Sequence, residues 1–362
     1  MSDCGCNSDS TECCNDNGVE TTDLGIIQSD NNNPVLVHVT RGGMIESQHR
    51  GAFAVVDVQG NLVMHAGDIT QDVYPRSAVK IIQALPMVMS GAVEKYNLTA
   101  EEVSVTCASH GGEKRHTQVV KRMLEKAGLS VDDLECGAHR PTNVQANEDL
   151  IRAGETFSAL HNNCSGKHTA MLMLAKMNGF DTKGYTDIQH PVQQTIMGTF
   201  EALTEWTLDK AHFDKDGCSA PTWALPLVNT ALAFAKISDP DATLPADTAN
   251  AVKTLRNSVI EEPFMVGGTN RCCTRIMEVL KDKAFVKYGA EAVYTASLPE
   301  YGLGIALKID DGSVRAVEVA LLRILEEIGV LSQEDKAELL EFHTKPITNW
   351  NNFTVGHVEP AF

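Results

Sequence analysis

The order of the predicted strands and helices constrains the fold of this 362-residue chain more than any other feature. Strand-like runs occupy residues 35–40, 52–58 and 62–66, and further strand-like runs follow residue 283, whereas most of the chain between them has helical periodicity. Strands from both ends of a chain can share one sheet while the intervening helices cover it. We therefore predict an α+β fold, in which an antiparallel sheet is flanked by helices and accompanied by a helical lobe.

Further predictions concern individual segments of the chain and the bounds of its domains. The run EVSVTCASH at 102–110 is predicted to be a strand that enters a loop, and the helical run at 314–330 is predicted to close the fold. We place one two-lobed catalytic domain at residues 31–345 and a C-terminal extension at 346–362. Residues 1–30 are polar in composition and are predicted to be a disordered, cysteine-rich tail.

Charge and cysteine content narrow the class of protein. The formal net charge of −18 argues against nucleic acid or an anionic membrane as a partner. We find no secretory signal and no run of the roughly 18–20 apolar residues that a membrane helix needs. We therefore expect a cytoplasmic protein whose ten cysteines are reduced thiols or metal ligands. Four of them lie in the tail without the spacing of a zinc site, at Cys4, Cys6, Cys13 and Cys14.

The segment YPRSAVKIIQALP at 74–86 contains a Ser-x-x-Lys motif at the start of a helical run. Residues i and i+3 share one face of a helix, so the Ser77 hydroxyl and the Lys80 amine can meet. A serine becomes a nucleophile when a base takes its proton, and a lysine can be that base when burial or a nearby cation lowers its pKa. Taken alone, the motif is more simply explained by an N-cap serine followed by a solvated lysine.

Two further motifs strengthen a catalytic interpretation. In TCASHGGEKRH at 106–116, small residues let a ligand approach the backbone, and Ser109 supplies a second hydroxyl. Lys287 lies on a predicted strand two residues before Gly289, a spacing similar to the Lys-[Ser/Thr]-Gly strand of serine enzymes that also use Ser-x-x-Lys. Tyr288 replaces the Ser or Thr, so the match is partial. The ordered combination arises by chance far less often than any single motif.

Two loops carry candidate metal ligands. Cys164 and Lys167 precede one predicted helix in HNNCSGKHTAML, and Asp216 and Cys218 precede another in DGCSAPTWALPL. Two cysteines with a carboxylate form an incomplete zinc shell. Buried structural cysteines are the alternative interpretation of the same residues.

Ten ordered motifs between residues 34 and 330 resemble the asparaginase II family of the rhizobial, inducible type. They are VTRGGMIESQHRGAFAVVD, YPRSAVKIIQALP, CASHGGEKRH, CGAHRP, HNNCSGKHTAML, HPVQQ, DGCSAPTWALPL, RCCTR, KYGAEAV and GLGIALKIDDG. The resemblance implies the fold of the serine β-lactamases and penicillin-binding proteins. It also implies hydrolysis of L-asparagine to L-aspartate and ammonia, a bound Zn²⁺ ion and a homodimer.

The resemblance further implies roles for individual residues. The catalytic side chains would form two serine–lysine tandems, Ser77 with Lys80 and Ser109 with Lys287. The metal would be held by Cys164, Lys167 and Cys218, with Asp216 beside them. Contacts to the substrate are expected from Glu46, Ser47, His49, Cys164 and Cys273. One departure is Ala292, where the family pattern usually has glycine.

These roles predict hydrolysis through a serine acyl-enzyme. Ser77 attacks the side-chain amide carbon with Lys80 as its base, while Ser109 and Lys287 relay a proton or hold the substrate. The opposite assignment, with Ser109 as the nucleophile, stays open. Zinc is expected to orient the substrate or to tie loops together, because no His₃ or His-Glu-x-x-His shell is present.

The sequence is compatible with three alternative functions. A glutaminase is one, because one methylene group is worth only about 1–3 kcal/mol in a binding pocket. A β-lactamase-like acyl hydrolase shares the Ser-x-x-Lys motif and the strand lysine, but it also needs a Ser-x-Asn or Tyr-x-Asn loop that is not evident. A non-catalytic zinc-binding module rests on the ten cysteines and leaves the serines and lysines unexplained.

Overall fold

The computed structural model describes residues 33–362, and the predicted tail at 1–30 lies outside this range. The strands of the described part are β1 (Val35–Arg41), β2 (Met44–Asp57), β3 (Leu62–Ala66), β4 (Asp72–Val73), β5 (Phe213–Lys215), β6 (Pro221–Trp223), β7 (Leu225–Pro226), β8 (Phe285–Gly289), β9 (Val293–Leu298), β10 (Leu303–Ile309), β11 (Lys345–Thr348) and β12 (Thr354–Pro360). Its α-helices are α1 (Lys80–Met89), α2 (Ala92–Lys95), α3 (Ala100–Ser104), α4 (Lys114–Lys126), α5 (Val144–Ala153), α6 (Ser165–Asn178), α7 (Pro191–Thr204), α8 (Leu227–Ser238), α9 (Pro240–Thr243), α10 (Ala246–Glu261), α11 (Phe264–Gly267), α12 (Cys272–Leu280), α13 (Val314–Ile328), α14 (Gln333–Glu338) and α15 (Leu340–His343).

The main sheet is antiparallel and, within residues 33–362, contains eight strands. Seven follow the order β11-β12-β1-β2-β10-β9-β8, and β3 pairs with β2 beside this path. β2 and β10 lie near the middle and pair from Gly51–Ile309 to Asp57–Leu303, whereas β8 forms one edge. Most of the helices belong to the segment between β3 and β8, as the sequence pattern predicts. The predicted fold class, an antiparallel sheet flanked by helices with a helical lobe, is confirmed.

Both faces of the middle of β2 are covered, and this explains why residues 52–56 are apolar at every position. Successive side chains of a strand point to opposite faces. Ala52, Ala54 and Val56 of β2 belong to a cluster with residues of α8, whereas Phe53 and Val55 belong to the larger core that includes α13. Helix α8 therefore lies on one face of the sheet and α13 on the other.

Glycine at position 304 allows β10 and α8 to pack closely. A Cβ atom on Gly304 would lie 2.0 Å from the backbone nitrogen of Ala235 and 2.2 Å from the carbonyl oxygen of Ala231. These are backbone atoms of α8, which cannot move aside as a flexible side chain can. A residue with a side chain at 304 would therefore push the helix away from the sheet.

Helix α1 connects the helical lobe to the edge strand β8. Every residue from Lys80 to Val88 is buried, and the helix packs against α6, α7 and α10 of the lobe. A single 3₁₀ turn, Arg76–Val79, leads into it. Gly289, the last residue of β8, packs on this turn, because a Cβ there would lie only 2.6 Å from the Pro75 carbonyl oxygen. The start of α1 is thereby held against the end of β8.

The predicted strand at 102–110 is wrong, because the segment is helical. It contains the end of α3 and a 3₁₀ turn at Val105–Cys107. Thr99 and Glu102 form a reciprocal capping box that starts α3, which satisfies backbone donors that a strand would leave unpaired here. The β-branched residues that suggested a strand are buried in the core instead.

The predicted C-terminal boundary also needs correction. The chain does not close with α13, since α14, α15, β11 and β12 follow it. Residues 346–362, predicted as an extension, contribute to β11 and form β12, and β12 pairs with β1 from Val37–Pro360 to Val39–Val358. The strands from the two ends of the described chain are therefore neighbours in the sheet.

Two further observations bear on the sequence predictions. The six cysteines of residues 33–362 are all free and buried, as expected for reduced thiols, and they are Cys107, Cys136, Cys164, Cys218, Cys272 and Cys273. No helix in the same range has both the length and the apolar character that crossing a bilayer requires.

Candidate active site

Two buried lysine amines converge on one hydroxyl group, that of Ser109. Lys80 donates hydrogen bonds to Ser109 Oγ at 3.0 Å, to Cys164 Sγ at 3.1 Å and to the Ala108 carbonyl. A lysine ammonium group has three donors, so these three acceptors satisfy it. This explains how a lysine at 0% exposure is accommodated at the start of α1.

Lys287 reaches the same hydroxyl from strand β8. Its amine lies 3.0 Å from Ser109 Oγ and 2.7 Å from the Tyr288 carbonyl oxygen. Burial lowers the pKa of the Lys287 amine to about 7, and the positive charges of Lys80 and Arg271 act in the same direction. A substantial fraction of Lys287 is therefore neutral near pH 7 and able to accept a proton, unlike an ordinary lysine.

Ser77 lies one helical turn before Lys80 but does not bond to it. Within residues 33–362 the Ser77 hydroxyl has no hydrogen-bond partner, although the residue is only 9% exposed. The preceding Arg76 has φ +50°, a left-handed conformation that costs roughly 1–2 kcal/mol for a residue with a Cβ. Two hydrogen bonds to Asp216 Oδ1, at 2.9 Å from Nε and 2.6 Å from Nη2, hold Arg76 there. The backbone at Ser77 is thus held in place while its hydroxyl is free.

Next to Lys80, two thiols and a third buried amine form a linked group. Cys164 accepts the hydrogen bond from Lys80, and Lys167 Nζ donates to Cys218 Sγ at 3.1 Å. A hydrogen bond from the Cys164 thiol, with the charge of Lys167, holds the pKa of Cys218 well below its ordinary value despite burial. The same hydrogen bond, together with burial, raises the pKa of Cys164. Cys218 is therefore the thiolate of this pair and Cys164 the thiol.

These side chains are the predicted zinc ligands. In the described part of the chain, no three His, Cys, Asp or Glu residues are arranged to hold a metal ion. Burial lowers the pKa of Lys167, but Cys218, Cys164 and Asp216 outweigh burial and raise it above the ordinary value. Two sulfur atoms and one amine nitrogen suit zinc if the metal displaces that proton, so the residues fit a three-ligand site. The Asp216 carboxylate is bonded to Arg76 rather than directed at a sulfur atom.

Cys273 lies at the open edge of β8, close to the lysine that this strand carries. The backbone N–H of Tyr288 donates to Cys273 Sγ at 3.2 Å, and the Tyr294 hydroxyl lies 3.0 Å from the same sulfur. Cys273 is buried, as is its neighbour Cys272. The structure therefore places this predicted substrate contact beside Lys287, and its role in binding stays a prediction.

The other predicted substrate contacts are not brought to this cluster. Glu46, Ser47 and His49 lie on β2, and β10 and β9 separate β2 from β8, a distance of about 14 Å at roughly 4.8 Å per strand. Glu46 is exposed and forms an ion pair with Arg41 at 2.9 Å. His49 is buried between Asp311, at 2.6 Å, and the Arg315 guanidinium, at 3.1 Å.

His110, for which the sequence motifs predict no role, connects the Ser109 loop to the start of α6. The Gly112 N–H donates to His110 Nδ1 at 3.1 Å, so Nδ1 is unprotonated and Nε2 carries the hydrogen. Nε2 then donates to Ser165 Oγ at 2.9 Å, and that hydroxyl donates to the Leu160 carbonyl at 3.0 Å. Burial holds the pKa of His110 well below its ordinary value, in keeping with a neutral ring. Its position next to Ser109 is the only sequence signal for this role.

The turn between β8 and β9 is strained at the position where the sequence departs from the family pattern. Residues 290–292 form the connection, and both Glu291 (φ +59°) and Ala292 (φ +54°) are left-handed. Consecutive residues with positive φ favour glycine, which has no Cβ to clash with the carbonyl oxygen. The hairpin that carries Lys287 therefore holds an unfavourable residue at its turn.

A family model matches almost the whole of the described chain. The model described as L-asparaginase II (Asparaginase_II) matches residues 37–360, a range that extends beyond the ten sequence motifs and includes β11 and β12. Comparison with curated proteins gave no match.

Several solved structures are similar at low identity. A β-lactamase (Mb2281c) from Mycobacterium bovis is 12% identical with TM-score 0.38, over 81% of this chain and 95% of that chain. The protein Mglu in its native form is 15% identical with TM-score 0.36, over 84% and 71%. A Bacillus glutaminase is 12% identical with TM-score 0.36, over 77% and 91%. These TM-scores are too low to decide between activities.

Replacing Ala292 with glycine is expected to stabilise the protein. The substitution removes the left-handed strain but adds freedom to the unfolded chain and loses a buried methyl group, for a net gain of about 0.5 kcal/mol in the free energy of unfolding. Urea unfolding of the purified variant measures this change.

Ala290→Gly in the same turn is the matched control, because Ala290 does not have a positive φ. It is expected to lower the free energy of unfolding by about 0.5–1 kcal/mol. Equal losses in both variants would show that the conformation at 292 is not strained.

Proposed function

Because this chain belongs to the L-asparaginase II family, we propose that it hydrolyses the side-chain amide of L-asparagine to L-aspartate and ammonia. Family membership makes the protein an amidohydrolase of the asparaginase or glutaminase type, whose substrates are small-molecule amides. The observation that carries the finer proposal is the Ser109 hydroxyl held at 3.0 Å by two buried lysine amines, one of which has a pKa of about 7. A buried amine with a pKa near neutrality beside a hydroxyl group is typical of a site that transfers protons.

Ser77 is the nucleophile in this proposal. Its hydroxyl has no partner within residues 33–362 and is free to meet a substrate, whereas Ser109 Oγ already receives both lysine amines. Ser77 Oγ bonds to the amide carbon, the carbon–nitrogen bond breaks, and the leaving nitrogen takes a proton to become ammonia. Water then attacks the aspartyl ester, releasing aspartate and restoring the serine.

The proton of Ser77 leaves through the lysine pair. Lys80 shares a helix face with Ser77 and contacts Ser109, which in turn contacts Lys287. The neutral fraction of Lys287 is the acceptor at the end of this path and later returns a proton to the leaving ammonia. Ser77 and Lys80 are not hydrogen-bonded in this structure, so the two side chains must approach each other when substrate binds, as catalytic groups often do.

Zinc, a homodimer and a cytoplasmic location complete the proposal. Cys164, Lys167 and Cys218 would hold the metal, which when bound orients the substrate and fixes the two loops that carry these residues. The 3.1 Å hydrogen bond from Lys80 to Cys164 links this group to Ser109, which the Lys80 amine also contacts. The zinc-module alternative leaves this link to Ser109 and Lys287 without a purpose.

Ser77→Ala is expected to abolish turnover, because no acyl-enzyme can form without the nucleophile. Ammonia release from L-asparagine should fall by at least about 10³-fold, and intact-mass measurement after acid quench should find no aspartyl adduct. Ser109→Ala should slow turnover by about 10²–10⁴-fold, as loss of proton transfer does, but still form the adduct.

Ser90→Ala, at the far end of α1, is the control and should keep wild-type activity. An aspartyl adduct in Ser77→Ala and none in Ser109→Ala would reverse the two roles. L-Glutamine in the same assay decides the substrate, and faster release from glutamine than from asparagine would overturn the L-asparaginase proposal.

The pH dependence of kcat/KM should reflect the protonation of the Lys287 amine. Its pKa is about 7, so it is protonated and inactive as a base below that pH and neutral above it. We expect kcat/KM to rise with pH through a midpoint near 7 and then to level off. Lys287→Met should remove this limb along with most of the activity, and Lys283→Met, just before β8, should leave it unchanged. A flat profile between pH 5 and 9 in the wild type would exclude this base.

Metal removal should affect binding more than chemistry. We expect about one zinc ion per chain by elemental analysis, and Cys218→Ser should lose it, whereas Cys136→Ser should retain it. Chelation should raise KM more than it lowers kcat, because the metal is assigned to orientation. Complete loss of turnover at saturating L-asparagine would show instead that zinc takes part in the chemistry.

A further inference from the structure

The cations nearest the serines are already occupied. Lys80 has three acceptors, and Arg76 is held by Asp216. Lys287 contacts Ser109 and the Tyr288 carbonyl, and its base function requires it to be neutral. A substrate that carries a carboxylate needs a positive partner, and these groups are not available to supply it.

Arg271, beside strand β8, is a cation that is not occupied in this way. It is exposed, and within residues 33–362 its guanidinium has no hydrogen-bond or ion-pair partner. The guanidinium carbon lies 6.0 Å from the centre of the Tyr288 ring, in a cation–π arrangement. An arginine stacked on an aromatic ring keeps its N–H groups free and loses little conformational entropy when it binds a ligand.

The backbone places this guanidinium at the edge of the lysine cluster. Arg271 directly precedes α12, and Cys273, two residues later, accepts the Tyr288 N–H at 3.2 Å. The carbonyl of the same tyrosine accepts the Lys287 amine at 2.7 Å. Tyr288 thus contacts the proposed base through its backbone carbonyl and the unpaired arginine through its ring, and the Arg271 charge is close enough to contribute to the low pKa of Lys287.

We propose that Arg271 binds the α-carboxylate of the substrate and makes the enzyme select a free amino acid amide. This inference rests on the proposed function and assigns one contact within it. The planar guanidinium offers two parallel N–H groups that match the two oxygens of a carboxylate. An amide without that carboxylate would leave the arginine unpaired, so discrimination between the two substrates measures the contact.

The test compares L-asparagine with β-alaninamide, which is asparagine without its α-carboxylate. At pH 9, where Lys287 is neutral with or without the Arg271 charge, Arg271→Gln should lower kcat/KM for L-asparagine by about 10- to 100-fold, the value of a charge-assisted hydrogen bond. The same variant should change kcat/KM for β-alaninamide by less than about twofold. Arg271→Lys keeps the charge but loses the paired geometry, and should fall between the wild type and Arg271→Gln.

Arg275→Gln is the matched control, since Arg275 lies on α12, one turn after Arg271, and is paired with Glu278. It should leave kcat/KM unchanged for both substrates. Equal losses for both substrates in Arg271→Gln, or no loss for L-asparagine, would overturn the inference while the amidase activity stands.

Arg140 is the other arginine of residues 33–362 without a side-chain partner, on the loop before Pro141. A selective loss in Arg140→Gln with none in Arg271→Gln would move the assignment there and overturn ours. A wild-type protein that releases no ammonia from L-asparagine would overturn the proposed function and this inference together.

Discussion

The Ser109 hydroxyl, shared by two buried lysine amines at 3.0 Å each, is the interaction around which the structure is organised. A buried amine is costly unless acceptors surround it, and the acceptors here come from separate segments. Lys80 at the start of α1 bonds to the loop of Ala108 and Ser109 and to Cys164 before α6. Lys287 bonds to the same loop from β8. Satisfying these two amines therefore joins the helical lobe to the edge of the sheet.

The charge balance of the site follows from this arrangement. Three lysine amines are buried together, and the nearby anions are the Cys218 thiolate and the Asp216 carboxylate, the latter committed to Arg76. The pKa of Lys287 is about 7, so part of this amine is uncharged near neutral pH and the repulsion among the three lysines is smaller. Lys167 keeps its proton because it lies beside the thiolate. One electrostatic environment thus produces a neutral amine that can act as a base and a thiolate that can bind a metal.

A continuous series of hydrogen bonds connects the Lys287 amine with the Cys218 thiolate. Lys287, Ser109, Lys80 and Cys164 are joined by hydrogen bonds of 3.0–3.1 Å, and the Cys164 thiol is bonded in turn to Cys218, which accepts from Lys167. His110 adds a second connection between the Ser109 loop and α6. The two thiols are therefore joined to the Ser109 hydroxyl by a short series of hydrogen bonds.

The sequence by itself determined the order of elements, the antiparallel sheet, the Ser-x-x-Lys helix start and the strand lysine, because these follow from local periodicity and short motifs. It failed at residues 102–110, where a capping box and burial outweigh β-propensity, and at 346–362, where pairing with β1 makes a strand of an apparent extension. Tertiary structure alone decided that Lys80 bonds to Ser109 and Cys164 and not to Ser77, and that Glu46 and His49 lie three strands away from β8. The reason is physical: the decisive hydrogen bonds join residues 29, 84 and 178 positions apart, and some acceptors are backbone carbonyls, so no local pattern specifies them.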